Sequence, residues 1–584
     1  MDQEKVIVGR VSGVEDSTPL VFHVAIDPAA YLQLDDVIVT VREVPGAEPV
    51  LTSGVVTQVT ARHEGASFAS DVFLISAGVL PAQVQETAEV ATTRVQPERY
   101  VPPIPGSAVH RATGDERARA LYFDKMDRKV AVGQGRDGEP IYLNMDFLDG
   151  TRGAHVSISG VSGVATKTSF ALFLLHSIFR GGALRDVHNA KALIFSVKGE
   201  DLLFLDRPNL RLDDDLRAEY AALGLPAEPF ASVGFFAPPT PDDVSGRPHV
   251  TGRTSGVGAF WWTIAEFCAD ELLPYVFADA EDERNQYTMV VHQVANRLRL
   301  DSSSAGKDGA ATVDGELCRT YAELVDVICA RVMDEETRST WAGPVTGAGT
   351  INAFVRRLRS SQRALSGLIR GDLPDSAVRR LSTENQQVTV VDIHNLVERA
   401  QRFVVGVTLS AETARKEAAG PGGLLFTMLD ELNKYAPREG SSPIKEVLLD
   451  VAERGRSLGV ILIGAQQTAS EVERRIVSNS SVRIVGRLDA AEASRPEYGF
   501  LPASQRIRAT LAKPGTMFVS QPEIPVPLAV EFPFPAWATR GTEAGAAPVA
   551  VSSGVLSGGV RNGVDPFAGL PADVDPFGDD PPPF

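Results

Sequence analysis

The chain has 584 residues, of which 43% are hydrophobic, so it is long enough for several domains with buried cores. Its net charge of −18 at pH 7 argues against a surface that binds nucleic acid everywhere, but it does not exclude a local basic channel. No apolar run approaches the length of a membrane span, and the N-terminus lacks the basic and apolar regions of a signal peptide. The three cysteines, Cys268, Cys318 and Cys329, lack metal-ligand spacing and are typical of packed, reduced thiols. We therefore predict a cytoplasmic protein without a membrane partner.

Short β-rich runs separated by turns fill residues 1–105. They include Val6–Val8, Leu20–Val24, Val37–Val41, Gly54–Val56 and Val72–Ile75. Several strands at such close spacing predict a small N-terminal β-barrel. A proline-rich stretch, with Pro97, Pro102, Pro103 and Pro105, then predicts an extended linker.

A strand, a glycine-containing turn and a helical run follow one another from Ala154 to Phe179. This is the order of a phosphate-binding loop, in which backbone N–H groups and a helix N-terminus bind phosphate, a lysine neutralises charge and a threonine hydroxyl reaches magnesium. The alternative is an ordinary strand-to-helix turn. The nucleotide interpretation selects Gly160, Gly163, Val164, Ala165, Thr166, Lys167, Thr168 and Ser169 for ATP, with Thr168 also on the metal.

The glycines of this loop depart from the standard spacing. With Lys167 in the lysine position, glycines belong at positions 161 and 166, where the chain has Val161 and Thr166. Either the loop is one residue longer, or Thr166 adopts a backbone conformation that glycine normally supplies. We expect ATP turnover to be slow or conditional in either case.

The region from 106 to 540 predicts an α/β core, in which a mostly parallel sheet is covered by helices. Apolar runs that predict its strands are Ala192–Val197, Val388–Asp392, Leu424–Leu429, Gly459–Gly464 and Val482–Val485. Residues 210–380 are mostly helical in pattern and predict an insertion between core strands.

Seven arginines fall between residues 351 and 380, against only Asp372 and Asp375. They are Arg356, Arg357, Arg359, Arg363, Arg370, Arg379 and Arg380. Such a strip predicts a surface that faces a polyanion. It is equally typical of a solvated helix face or of partners for acidic groups on a neighbouring subunit.

The strand at Leu424–Leu429 ends in two adjacent carboxylates, Asp430 and Glu431. Ligands bind at the carboxyl ends of parallel strands, so Asp430 is placed to hold magnesium and Glu431 to orient or deprotonate the attacking water. The alternative is a buried strand that leads into an acidic turn. The loop around Lys167 favours the nucleotide site.

A further stretch, Arg454–Thr468, combines an arginine before a core strand with two glutamines at its end. Phosphoryl transfer needs positive charge on the γ-phosphate, and Arg456 could supply it to a neighbouring subunit's site. The alternative is that Arg454 and Arg456 pair with Asp450 or Glu453. Gln467 is the candidate for bridging water or phosphate, with Gln466 as the alternative if the register shifts by one.

With these motifs in order, the chain resembles the HerA family of ring-forming ATPases, in the wider group with FtsK and the conjugative coupling proteins. The resemblance spans roughly residues 1–540, and Arg454–Thr468 is its most specific part. Lys198-Gly199-Glu200 also looks like a Gly-Glu element of that family. The resemblance implies an N-terminal barrel of the family's type and a RecA-like P-loop core. It also implies ATP and Mg²⁺ as cofactors, a homo-oligomer of hexameric type, and double-stranded DNA as partner.

The function implied is that of a DNA translocase or helicase that works with a partner nuclease in DNA repair, in end processing, or in antiviral defence. A second hypothesis is a nucleotide-binding ring that scaffolds a partner effector without moving DNA. A protein unfoldase is a third, without a recognised threading loop. Residues 541–584 predict a flexible tail, in which Val564–Phe567 recurs as Val574–Phe577. We interpret this tail as a docking segment, or else as a solubilising extension.

Overall fold

The computed structural model describes residues 6–64, 66, 68–161, 167–253, 255–277, 285–305, 309–374, 379–420 and 422–545. The tail predicted from residue 541 onward lies outside these residues from position 546. Among the residues described, no helix is both long and apolar enough to cross a bilayer. Cys268, Cys318 and Cys329 are buried free thiols, as the sequence predicts.

The strands, numbered in chain order, are β1 (Ile7–Val11), β2 (Val21–Ile26), β3 (Val37–Arg42), β4 (Val50–His63), β5 (Val84–Gln96), β6 (Ala108–Arg111), β7 (Lys129–Gln134), β8 (Pro140–Asn144), β9 (Val156–Ser159), β10 (Ala190–Ser196), β11 (Val233–Ala237), β12 (Val257–Ala259), β13 (Ser302–Ala305), β14 (Ala310–Val313), β15 (Glu316–Cys318), β16 (Val388–Asp392), β17 (Leu424–Asp430), β18 (Val460–Gln466), β19 (Val482–Val485), β20 (Thr516–Gln521) and β21 (Ile524–Glu531).

The α-helices are α1 (Asp71–Ser76), α2 (Gly114–Ala120), α3 (Lys167–Arg180), α4 (Asp214–Ala222), α5 (Ile264–Ala269), α6 (Asn285–Asp301), α7 (Tyr321–Met333), α8 (Arg338–Ala342), α9 (Ala348–Leu365), α10 (Glu398–Ala419), α11 (Leu432–Tyr435), α12 (Pro443–Leu458), α13 (Arg474–Asn479), α14 (Ala490–Ala493) and α15 (Ala503–Leu511).

The first six strands close into a barrel in the order β1-β2-β5-β4-β3-β6. Alternating apolar residues, such as Phe22 and Val24 of β2, fill its interior. The proline-rich stretch before β6 runs along this barrel, because the carbonyl of Pro102 accepts from Arg42 at 2.5 Å and that of Pro103 accepts from Ser17 at 2.8 Å. The predicted N-terminal barrel is confirmed, and the domain boundary at residue 105 stays a prediction.

The remaining core strands form one twelve-stranded sheet in the order β12-β11-β16-β10-β17-β18-β9-β19-β20-β21-β7-β8. The first eight of these strands run parallel, and the last four are joined by antiparallel pairings. The α/β class with a mostly parallel sheet is thereby confirmed. All eight parallel strands point their carboxyl ends to one edge, which we call the carboxyl edge.

The two faces of the sheet are covered by different helices. In β10, Ile194 packs into the core that contains α3, whereas Leu193 and Phe195 pack into the core that contains α10 and α12. This alternation follows from the two-residue period of a strand. Burial on both faces explains why the strands read as continuous apolar runs in the sequence.

Two predicted elements differ from the structure. The run Val72–Ile75 forms helix α1 instead of a barrel strand; the carboxylate of Asp71 accepts the backbone N–H of Phe68 at 2.9 Å and favours a turn there. The region 210–380 contains α4–α9, as predicted, but it also adds β11 and β12 to the sheet edge and forms a small sheet of β13, β14 and β15. These strands have only three to five residues, too few for a periodic pattern.

Candidate functional site

The candidate site lies at the carboxyl edge, where β9, β17 and β10 end. In the sheet, β18 separates β9 from β17, and β10 follows directly after β17. The chain leaves β9 at Ser159 and enters α3 at Lys167, so the N-terminus of a fourteen-residue helix points to this edge. Asp430 ends β17, and Lys198 follows β10 by two residues. Residues far apart in sequence therefore meet at one place.

Lys167 is buried, with 3% of its surface exposed, and its ammonium donates to the carbonyl of Gly160 at 2.7 Å. Burial lowers the pKa of Lys167 to about 8, although the Asp430 carboxylate works in the opposite direction. A buried lysine at a helix N-terminus is placed to receive an anion. The intervening candidates Gly163, Val164, Ala165 and Thr166 lie outside the described residues, whereas Ser169 lies in the first turn of α3.

Thr168 and Asp430 are in direct contact, since the Thr168 hydroxyl donates to Asp430 Oδ2 at 2.9 Å. Asp430 is 95% buried on its side chain, and its Oδ1 accepts the backbone N–H of Glu431 at 2.9 Å. A hydroxyl and a carboxylate are hard oxygen donors of the kind that magnesium takes. The two predicted metal ligands are therefore adjacent, and their chemistry fits the ion.

Glu431 follows the strand in a left-handed conformation, with φ of 56°. Such a conformation is unusual for a non-glycine residue and is often found where a site constrains the backbone. Its carboxylate is 15% exposed, lies 3.5 Å from the Lys198 ammonium and also pairs with Lys434. Glu431 thus points to the same edge as Asp430, and each of its oxygens faces a lysine ammonium.

Lys198 is identified from the sequence only as part of the Gly-Glu element, and it is not among the predicted site residues. Its ammonium lies 3.0 Å from Asp430 Oδ2. Burial works to lower the pKa of Lys198, but Asp430 and Glu431 raise it above its usual value. The available signal was its position two residues after an apolar strand. The sequence alone does not show that β10 lies beside β17 in the sheet.

The two glutamines at the end of β18 have different environments. Gln466 is fully buried, and its amide donates to the hydroxyls of Ser157 at 2.8 Å and Ser159 at 3.0 Å, which ties β18 to β9. Gln467 is exposed just beyond the strand. The geometry thus leaves Gln467 free to meet a ligand, and its role stays a prediction.

Arg456 is not brought to this site. It lies in the last turn of α12, before β18 begins, and donates to the carbonyls of Gly150 and Thr151, each at 2.8 Å. The start of β18 pairs with Leu425, five residues before Asp430, so Arg456 lies at the opposite edge of the sheet, roughly 16 Å away along the strand. Arg454, not Arg456, makes the predicted pairing with Asp450.

The arginine-rich strip divides into two parts. Arg370 pairs with Asp372, and Arg379 and Arg380 pair with Glu266, so these three serve local structure. On α9, Arg357 covers the ring of Tyr287. The exposed members of the helix are Arg356, Arg359 and Arg363. Their spacing of three and four residues places them on one face, and α9 contains no acidic residue.

No family model matches the chain, and no curated protein matches it. Among solved structures, the bacterial conjugative coupling protein TrwBdeltaN70 in its unbound monoclinic form is 11% identical, with a TM-score of 0.45 over 72% of this chain and 94% of that one. VirB4 of Thermoanaerobacter pseudethanolicus is 13% identical, with a TM-score of 0.42 over 70% and 96%. The genome packaging NTPase B204 from Sulfolobus turreted icosahedral virus 2, in complex with sulfate, is 13% identical, with a TM-score of 0.19 over 25% and 67%. Similarities of this size carry no conclusion about activity, and the HerA resemblance stays a prediction.

Proposed function

We propose that this chain is a P-loop ATPase that uses Mg²⁺ and works on double-stranded DNA. The observation that carries the proposal is the contact of Thr168 with Asp430, which are 262 residues apart in sequence and meet beside Lys167 and Glu431. A strand-to-helix turn that binds no ligand would not require a lysine, a threonine and two carboxylates to lie together. Phosphate binding, metal binding and activation of water each have a residue of suitable chemistry within it.

Each residue of the candidate site is assigned a role according to its position at the carboxyl edge. Lys167 and the first turn of α3, which includes Ser169, hold phosphate oxygens. Thr168 and Asp430 hold the metal, which supplies positive charge to the phosphates when bound. Glu431 orients water for attack once its lysine partners release it, and Gln467 contacts water or phosphate at the end of β18.

The placement of Arg456 supports a ring. An arginine at the opposite edge of the sheet cannot serve its own site, so a role in hydrolysis would require the site of a neighbouring subunit. Hydrolysis would then need a closed homo-oligomer, of hexameric type as the HerA resemblance implies. The finer proposal is a cytoplasmic DNA translocase or helicase that works with a partner nuclease, in DNA repair or antiviral defence.

The second candidate function is a regulatory or scaffolding ring that binds nucleotide but does not move DNA. Its supporting observation is that both oxygens of Glu431 are engaged, one with the Lys198 ammonium and the other with that of Lys434. The two functions differ in one measurable respect. A motor hydrolyses ATP faster when duplex DNA is added, whereas a scaffold does not.

The lowered pKa of Lys167 predicts that nucleotide binding weakens with rising pH. At pH 7 the free site holds Lys167 mostly protonated, and above its pKa of about 8 the site must take up a proton before it binds an anion. The dissociation constant for ADP with magnesium should therefore rise about tenfold between pH 7 and pH 9. Isothermal calorimetry at several pH values measures this.

The control for that experiment is Lys167→Ala, which removes the titrating group. It should bind ADP weakly, and its affinity should not fall between pH 7 and pH 9. Titration of the nucleotide's own phosphate is common to both proteins and cancels in their difference. An equal pH dependence in the two proteins would contradict the assignment of Lys167.

The exposed face of α9 predicts where duplex DNA binds. Replacing Arg356, Arg359 and Arg363 by glutamine should abolish DNA stimulation of ATP hydrolysis while leaving DNA-independent hydrolysis unchanged. It should also reduce the slope of log affinity against log salt concentration by roughly 3, since each phosphate contact contributes about 0.9. Fluorescence anisotropy with a labelled duplex, at four salt concentrations, measures the slope.

A matched variant separates local contact from net charge. Arg99, Arg185 and Arg217 are also exposed, and replacing them by glutamine removes the same three positive charges from scattered places. This control should keep the wild-type slope. If both triple variants change the slope equally, α9 has no special role. If duplex DNA does not change the rate of ATP hydrolysis by the wild-type protein, the scaffold function is favoured.

A further inference from the structure

Lys198 begins a short turn that joins the candidate metal ligands to a loop at the sheet edge. At one end of the turn, its ammonium contacts Asp430 at 3.0 Å and Glu431 at 3.5 Å. At the other end, Glu200 accepts the backbone N–H groups of Thr251 and Gly252. The turn is therefore held at both ends by charged hydrogen bonds.

The contact with Asp430 is made at the oxygen that also meets Thr168, the other candidate metal ligand. Oδ2 of Asp430 accepts both the Thr168 hydroxyl and the Lys198 ammonium. If a divalent cation bound the same carboxylate oxygen, it would lie close to the Lys198 ammonium, and the two positive charges would repel each other. Lys198 and magnesium are thus alternative occupants of one position.

Lys198 is able to leave that position. Its side chain is 42% exposed, and its four-carbon stem lets the ammonium move into water. Glu431 keeps Lys434 as a partner when Lys198 departs. Asp430, in contrast, makes its ion pair with Lys198, and the buried Lys167 ammonium adds a second positive charge nearby.

The far end of the turn is built for close contact. A Cβ on Gly252 would lie 2.5 Å from Glu200 Oε2, so a larger residue at position 252 would displace the carboxylate that holds the loop. Gly199 has a φ of 64°, which lets the chain reverse between Lys198 and Glu200. Next to Gly252, Arg253 is fixed by Asp206. Movement of the turn therefore acts on a defined loop.

We propose that Lys198 holds the metal position in the nucleotide-free site and leaves it when magnesium-nucleotide binds, so that the turn 198–200 transmits nucleotide state to loop 251–253. The proposal rests on the proposed nucleotide site. It assigns to Lys198 a positioning role.

The test uses Lys198→Met in the full-length chain, because methionine keeps the length of the side chain without its charge. With ADP as the probe, the magnesium concentration that half-saturates binding should fall about fivefold, since no resident cation has to be displaced. Hydrogen exchange at the Thr251 and Gly252 amides should become faster when wild-type protein binds ADP with magnesium. In Lys198→Met, exchange should be fast with or without the ligand.

Two further variants make the outcome specific. Lys434→Met removes the other lysine on Glu431 and should leave the magnesium dependence unchanged, because Lys434 does not contact Asp430. Glu200→Gln weakens only the far end of the turn. It should raise exchange at Thr251 and Gly252 in every state while the magnesium half-saturation stays at the wild-type value.

Failure of this inference and failure of the proposed function would give different results. If Lys198→Met weakens ADP binding in EDTA and leaves the magnesium half-saturation unchanged, Lys198 holds phosphate and the inference is wrong. An unchanged magnesium half-saturation with unchanged ADP affinity overturns it as well. If the wild-type chain itself does not bind ADP, it is the proposed nucleotide site that fails.

Discussion

Replacing Glu431 by glutamine should reduce ATP hydrolysis by about 10²–10³-fold, because the amide cannot accept a proton from the attacking water. Nucleotide affinity should change little, since Lys167, Thr168 and Asp430 retain their contacts. The amide has nearly the shape of the carboxylate and can keep the left-handed conformation at φ of 56°. A single-turnover assay with excess protein, together with an ADP binding titration, measures both quantities.

The matched control for this experiment is Lys434→Met. It removes an ion pair from Glu431 without removing its carboxylate, and it should retain hydrolysis or increase it as the carboxylate becomes more available. If Glu431→Gln hydrolyses ATP at the wild-type rate, the catalytic assignment is wrong. If it loses nucleotide binding to the same extent as hydrolysis, Glu431 supports the site's structure instead.

Much of the sheet could be predicted because its strands are buried on both faces. Runs such as Leu424–Leu429 are continuously apolar and end in charged residues, so a local pattern reveals both the strand and its carboxyl end. The same reasoning identified the β9–α3 turn despite its unusual glycines. Asp430 and Thr168 were selected separately, and the structure brings them into contact.

The features that the sequence did not predict depend on contacts between residues that are far apart in the chain. The role of Lys198 follows from the adjacency of β10 and β17, and strand order is set by tertiary packing. In the same way, Arg379 pairs with Glu266, which lies more than a hundred residues earlier. A strip of seven arginines in the sequence therefore becomes an exposed face of only three on α9. Local charge counting overstates such a surface because it cannot identify distant partners.

Helix α1 illustrates a different limitation. Its apolar residues favour a strand by propensity, but they stay exposed, with Phe73 at 74% of its free surface. No core contact selects between helix and strand there. The hydrogen bond from the Phe68 N–H to Asp71 favours a turn at the start of the helix.

Arg456 should act on the site of a neighbouring subunit, and subunit mixing tests this directly. Arg456→Ala alone should lose about 10³-fold or more in ATP hydrolysis, since an arginine that stabilises the transition state is worth at least that much. Glu431→Gln alone should be similarly inactive. In a mixed ring, an Arg456→Ala subunit still supplies Glu431, and a Glu431→Gln neighbour still supplies Arg456.

Random mixing of equal amounts should restore about a quarter of the interfaces, because each productive site needs one particular variant on each side. The steady-state rate of the mixture should therefore approach a quarter of the wild-type value, far above that of either variant. Arg454→Ala is the matched control, since Arg454 lies two residues away and pairs with Asp450 and Glu417. It should hydrolyse ATP at close to the wild-type rate without any mixing.

For this test the subunits must exchange between rings, and Arg456→Ala must still assemble. Native mass spectrometry of differently tagged chains measures both. Arg456 also holds the carbonyls of Gly150 and Thr151, so its removal could loosen the segment before β9. A variant that fails to form rings would assign Arg456 a structural role. If exchanged rings assemble and show no recovery, Arg456 does not act in trans. Recovery near a quarter requires two residues at opposite edges of the same sheet to meet across a subunit boundary.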